Sequence, residues 1–237
     1  MRLALVIAVA ACGDNRQYDE PFFAWDGQAT VGAMALDHLL PDDPGMFDQV
    51  DAVVGSPWVA MFYAHIPGEM SRLDTLEALI ARATDDGLPM LTYRELAEGP
   101  PRGGVSLSFD DTEVDQWMLL RPMLQKYDAH VTFFVTRYFE FTDAQKAELH
   151  QLYAEGNSIE AHGVNHVDEK KYVAQYGLEQ LIAEEIVPSI EILRADGFDP
   201  HAFAHPGGAH TREIDEAILE HIDLVRSISG APKRTTH

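Results

Sequence analysis

Val105-Ser106-Leu107-Ser108-Phe109-Asp110-Asp111-Thr112 is the stretch on which the reading of this chain turns. Hydrophobic residues alternate with serine, as in a short buried strand, and two adjacent carboxylates stand where the strand should end. Neighbours on an extended backbone project to opposite sides. Asp110 and Asp111 therefore cannot share one task as a helical pair could. One can face a metal while the other faces a reacting water. Read alone, the pair is an ordinary turn after a strand, since Asp is common there.

Outward from this stretch the chain alternates strand and helix signals. Trp58-Val59-Ala60-Met61-Phe62-Tyr63 reads as a buried strand that ends in Ala64-His65-Ile66-Pro67-Gly68. Pro89-Met90-Leu91-Thr92 reads as a short strand, and Val131-Thr132-Phe133-Phe134-Val135 as a β-branched and aromatic one. Residues 159–161, 201–205 and 224–228 bring the number of strand signals to seven. Between them, Ser71 can cap a helix with Leu73, Leu76, Leu79, Ile80 and Ala83 on one side. Thr142-Asp143-Ala144-Gln145 is a capping box for a helix that runs through Glu155 and is closed by Gly156. Pro122 must begin or kink a helix, and Pro188 divides a helical stretch over 178–195.

Strands alternating with helices imply parallel strands joined by crossover helices. Polar clusters follow the strands at His65, at Asp110-Asp111, from His162 to His166 and at His205-Pro206-Gly207. Barrel-type α/β enzymes carry their sites at such strand ends. The expected fold is α/β, a distorted or incomplete (β/α) barrel of about seven parallel strands. An open doubly wound sheet ranks second. No Gly-rich phosphate loop opens a helix, so a nucleotide fold has no support.

The expected organisation is a signal segment over 1–12, an N-terminal extension over 13–50, the barrel over 51–229 and a polar tail over 230–237. The extension holds many turn formers, with one helix expected near residues 30–40. A net charge of −22 argues against nucleic acid and anionic membrane as partners, because phosphate would be repelled. The lone cysteine, Cys12, excludes an intramolecular disulfide. It lies in Val9-Ala10-Ala11-Cys12-Gly13, which resembles the bacterial lipobox. That motif predicts a lipid anchor at Cys12 as the one membrane attachment, and a bacterial protein that is either in the cell envelope, periplasmic or at the surface, or secreted. The competing reading is a buried first strand over residues 3–11.

His162-Gly163-Val164-Asn165-His166 sets two imidazoles four residues apart. Gly163 and Asn165 disfavour a helix, so a loop must curl to bring both rings to one point. Two His and one carboxylate form a common facial set for a catalytic divalent metal, with positions left open for water and substrate.

With both motifs in this order, each ending a strand, the chain resembles the NodB-type polysaccharide deacetylases of carbohydrate esterase family four. Ser108-Phe109-Asp110-Asp111-Thr112 is similar to their first motif, and His162-Gly163-Val164-Asn165-His166 to their second. The similarity extends through residues 131–135 and upstream to Phe62-Tyr63-Ala64-His65-Ile66, covering roughly residues 50–229. The resemblance implies that Asp111, His162 and His166 bind a divalent metal, zinc being the expected ion, and that Asp110 is the general base. It implies a polysaccharide substrate, from which N-acetyl groups are removed by a metal-activated water. The third motif aligns with Ala204-His205-Pro206-Gly207-Gly208, where the Gly207 amide would stabilise an oxyanion. Read alone, Pro206-Gly207-Gly208 is a tight turn.

Three departures from the family pattern shape the expectations. Thr112 replaces a glycine after the Asp pair. Ala204 replaces the arginine that orients the base, leaving Arg137 or His205 as substitutes. The late His that acts as general acid has no clear counterpart; His65, His205 and His210 are conceivable replacements, and the terminal His237 a poor one. A rival function follows, a catalytically weakened polysaccharide-binding lipoprotein that retains the metal site.

Overall fold

The computed structural model describes residues 21–229. Seven parallel strands close on themselves. They are β2 (Thr30–Ala35), β3 (Val59–Ala64), β4 (Gly104–Asp111), β5 (Thr132–Val135), β6 (Ser158–Ala161), β7 (Ala202–Ala204) and β8 (Leu224–Ile228). Around the ring the order is β3-β2-β8-β7-β6-β5-β4, and Gly104–Phe109 of β4 return to pair with all of β3. A two-residue strand, β1 (Phe22–Phe23), adds antiparallel to β3. The expected barrel of parallel strands is present, and it is closed.

One strand comes from an unexpected place. Thr30–Ala35, within the segment expected to lie outside the barrel and to hold a helix near 30–40, pairs with both β3 and β8. Without it the ring could not close. Thr30-Val31-Gly32-Ala33-Met34-Ala35 is short and rich in small residues, so its own apolar signal is weak. Its neighbours on both sides supply the pairing that makes it a strand. Pro89-Met90-Leu91-Thr92, expected as a strand, contributes a single bridge from Met90 to Val105. Leu91 and Tyr93 instead plug the barrel interior.

The period of two along each strand sorts side chains into two buried layers. Val105, Leu107 and Phe109 face outward, against a layer shared with Leu76, Leu79, Leu149, Leu152, Ile190 and Leu193 of the surrounding helices. Val31, Ala33, Val59, Met61, Phe134, Ala202, Ala204 and Leu224 fill the interior with Tyr93 and Leu96. Ser71 does not cap the helix Leu73–Asp85, which starts after Arg72 without a side-chain cap, because its hydroxyl donates to Asp37 instead; the cap at Thr142 is as expected. Thr142 and Gln145 form both arms of a capping box for Asp143–Ala154, and Gly156 follows at φ 97°. Pro122 sits in the first turn of Arg121–Tyr127. The stretch containing Pro188 is divided as expected. A π-helical turn, Ile182–Ile186, separates Leu178–Leu181 from Val187–Ala195. Among the described residues no helix is long and apolar enough to cross a membrane. Cys12 and residues 230–237, with His237, lie outside the described residues.

Candidate active site at the carboxyl end of the barrel

Asp110 and Asp111 end β4 and do point to different neighbours. Asp110 continues the inward row of Ser106 and Ser108 and is almost wholly buried. Its Oδ2 accepts from Arg226 Nη2 at 2.5 Å, while its Oδ1 is buried with no hydrogen-bond partner. Asp111 leaves the strand at φ 90°, a backbone region that non-glycine residues rarely enter. That twist turns its carboxylate to the mouth of the barrel. His166 Nε2 lies 3.2 Å and His162 Nε2 3.7 Å from its Oδ1.

His162 follows β6. Its Nδ1 donates to the Ala204 carbonyl at 2.8 Å, which leaves Nε2 as the free lone pair aimed at Asp111. Burial pushes His162 down to about 4, so the ring is neutral at physiological pH. His166 is brought beside it by a loop, at φ 58°, with the two rings 4.9 Å apart. The loop is held from two sides. Thr136 Oγ1 donates to Gly163 O at 2.9 Å, and the Arg137 amide to Val164 O at 3.1 Å. From the other side Glu185, buried in the π-helical turn, accepts from the Asn165 amide at 2.8 Å and from Asn165 Nδ2 at 2.6 Å. A π-turn here re-aims one side chain at a site loop, a common use of that defect.

One ligand atom from each of Asp111, His162 and His166 lies within 4.8 Å of the other two. The donor set fits a divalent first-row ion: one carboxylate and two imidazoles, one of them locked in the tautomer that presents a lone pair. Burial raises the Asp111 carboxyl, but hydrogen bonding to His166 and the imidazole charges outweigh it and hold it below the usual range. A cleft lined by Asp111, Thr112, Glu113, Thr136, Arg137 and His166 opens beside these groups.

On the opposite flank, β3 lies next to β4 and is followed by His65. Its Nδ1 lies 2.5 Å from Asp37 Oδ2, and Asp37 Oδ1 accepts from the His65 amide at 3.0 Å and from Ser71 Oγ at 2.6 Å. The hydrogen bond to Asp37 raises the His65 imidazole above its ordinary value against the burial, and the charges of Asp110 and Asp111 add to it. His65 stays about a quarter exposed.

The arginine expected to be missing is therefore present in another strand. Arg226 of β8 sits inside the barrel with its guanidinium carbon 4.9 Å from the Tyr63 ring centroid and 5.1 Å from that of Phe134. Neither expected substitute contacts Asp110. Arg137 is exposed at the rim of the cleft. His205 is buried behind β7, 2.7 Å from Glu169, and His210 is buried against Asp215, so neither faces the mouth as an acid would. Gly207 stands at φ 62° on an exposed turn whose proline packs near Gly163. Arg226 had a readable signal, a lone cation inside a buried strand, which needs a counter-charge. Asp37 and Glu185 had none.

A family model for polysaccharide deacetylases matches residues 97–222, just over half of the 237-residue chain. The chain belongs to the polysaccharide deacetylase family. Membership makes it a hydrolase that deacetylates polysaccharide at amide bonds. Among solved structures, a deacetylase from Streptococcus pyogenes, PplD in complex with acetate, superposes with a TM-score of 0.53 at 20% identity, over 72% of this chain and 91% of that one. IcaB from Ammonifex degensii gives 0.54 at 18% identity, over 73% and 87%. A polysaccharide deacetylase from Bacillus cereus, BC0361, gives 0.59 at 17% identity, over 71% and 57%. At such identities the shared property is the deacetylase fold. No match was found among curated proteins.

Proposed function

We propose that this deacetylase-family chain removes N-acetyl groups from a cell-wall or extracellular polysaccharide, with Asp110 as general base and a divalent ion, zinc being expected, held by Asp111, His162 and His166. One observation carries the reading: Asp110 has one oxygen fixed by Arg226 and the other unbonded, beside a convergent carboxylate and two imidazoles. The ion would supply Lewis-acid polarisation of the acetamide carbonyl and acidify water.

The chain's own groups account for the proton movements. Asp110 Oδ1 takes the proton of the attacking water, while Arg226 keeps the carboxylate from rotating away. His65 gives a proton to the departing sugar amine, since it stands on the β3 side of the Asp pair while the imidazoles approach from the β6 side. Asp37 holds the His65 ring and favours its protonated form. The Gly207 amide, on its exposed turn, is the proposed donor to the oxyanion. The lipobox-like Cys12 supports an envelope location with a lipid anchor.

The presence of both Arg226 and His65 speaks against the weakened binding protein, because each supplies a group that the rival reading takes as lost. The test is acetate release from chitooligosaccharides or peptidoglycan fragments, compared with Asp110→Asn. Wild-type release should exceed the variant's by at least about 10²-fold. Equal rates with metal bound in both would refute the reading.

A further inference from the structure

Behind the active site, on the helix side of β7, four ionisable side chains are packed together, almost wholly buried. His205 follows β7, Glu169 begins the helix Glu169–Tyr176, Asp215 lies in the helix Arg212–Ile218, and His210 precedes that helix. All four are at most 4% exposed. His205 Nδ1 is 2.7 Å from Glu169 Oε2, and His210 Nδ1 is 2.8 and 2.9 Å from the two oxygens of Asp215. The His205 and His210 rings stack at 4.6 Å, and Thr30 Oγ1 reaches Asp215 Oδ2 at 3.5 Å.

Two features ask for a cation at the centre of this cluster. First, the buried carboxylates of Glu169 and Asp215 require compensating positive charge. Second, His205 Nε2 is buried 3.2 Å from Asp215 Oδ1 without the alignment of a hydrogen bond, so it has no partner of its own. Positive charge must lie between that nitrogen and the carboxylate oxygen, carried by a proton or by a metal ion. The Glu169–His205 pair also repeats a known outer-shell arrangement, in which a carboxylate fixes the tautomer of a metal-binding imidazole.

We propose that His205, His210 and Asp215 form a second divalent-cation site, buried and structural, with Glu169 as its outer carboxylate. One ligand atom from each lies within 4.8 Å of the other two, as in the first centre. The 3.2 Å from His205 Nε2 to Asp215 Oδ1 fits two zinc ligands, which at about 2.0–2.1 Å from a tetrahedral ion stand roughly 3.3 Å from one another. Zinc also balances the charge of the two carboxylates while both imidazoles stay neutral. The site shares no ligand with the first centre. Its effect is to tie the Pro206-Gly207-Gly208 turn and the start of the helix Arg212–Ile218 to the end of β7. Because the ligands are buried, the ion is taken up on folding.

The test uses the full chain with the first centre removed by Asp111→Asn and His166→Ala. Refolded with zinc and dialysed, the wild type should carry two equivalents by metal analysis, and the double variant one. Zinc X-ray absorption of the double variant should show two imidazoles per zinc. Adding His210→Gln should take the remaining equivalent to zero. A folded double variant with no zinc overturns the proposal and means that protons balance the cluster. Zinc that survives His210→Gln, or zinc without two imidazoles, overturns it as well. One equivalent in the wild type that is retained in the double variant would place the only ion at the buried site, and would refute the first centre instead.

Discussion

Arg226 and Asp110, 116 positions apart in sequence, meet inside the barrel at 2.5 Å, both almost wholly buried. The ion pair joins β8 to β4 across the interior and fixes the carboxylate that the proposed reaction needs. Arg226→Ala would leave Asp110 as an unpaired buried charge. The expected loss of stability is about 3–5 kcal/mol in denaturant unfolding. Arg226→Lys keeps the charge but not the planar fork between Tyr63 and Phe134. It should unfold closer to wild type yet release acetate at least about tenfold more slowly. Wild-type activity in Arg226→Lys would show that the orientation of Asp110 does not matter.

The His65–Asp37 pair predicts the alkaline limb of the pH profile. An acid works only while protonated, so activity should fall as pH rises through the His65 pKa, which lies above the usual imidazole value because Asp37 accepts its hydrogen bond. Asp37→Asn removes that cause, and the limb should move to lower pH. His65→Gln should lower kcat by about 10²–10⁴-fold. An alkaline limb unmoved in Asp37→Asn would assign it to another group.

Glu185 holds Asn165 by two bonds. Glu185→Ala should release the loop that carries His166. Zinc affinity, measured by competition with a chelator, should drop about 10–100-fold, as when an outer-shell partner is lost. Affinity equal to wild type would mean that Thr136 and Arg137 suffice to hold the loop.

Two adjacent glycines should respond differently to alanine. Gly208 has φ 68°, and an added Cβ would meet Ile228 side-chain atoms at 2.5, 2.8 and 3.0 Å. Gly207 has φ 62° with nothing within 4 Å. Gly207→Ala should therefore bear only the left-handed backbone penalty of about 1–2 kcal/mol. Gly208→Ala adds overpacking of about 1–3 kcal/mol. Thermal unfolding of the two variants should rank them in that order.

Glu160 of β6 is wholly buried in register with Phe134, and burial pushes its carboxyl up to about 7 despite hydrogen bonds from Ser158 and from the His201 and Ala202 amides. The unfolded chain loses this proton at the ordinary glutamate value, so the folded state binds more protons between the two. Stability should fall as pH rises across that window. Glu160→Gln keeps an acceptor for both amides and should remove the loss, a gain of up to about 3 kcal/mol at pH 8. A variant no more stable than wild type at pH 8 would contradict this.

The part of the site that could be read from sequence is the part made of local pattern. Asp110-Asp111 at a strand end and the His162–His166 spacing each announce themselves within five residues. The parallel strands follow from alternating apolar periods, and the caps at Thr142 and the breaks at Pro122 and Pro188 from single-residue backbone chemistry. Asp37 was hidden because the strand it follows, β2, owes its existence to pairing on both edges, and the residues of that strand are mostly small.

By itself the sequence determined the barrel class, the carboxylate pair and the imidazole pair, since each depends on backbone periodicity and on residues close in the chain. Tertiary structure decided what completes them. Only closure of the ring through Thr30–Ala35 brings Asp37 to His65, and only the inward parity of β8 brings Arg226 to Asp110. Partners of that kind are chosen by which strands become neighbours, and strand adjacency depends on the packing of the whole chain.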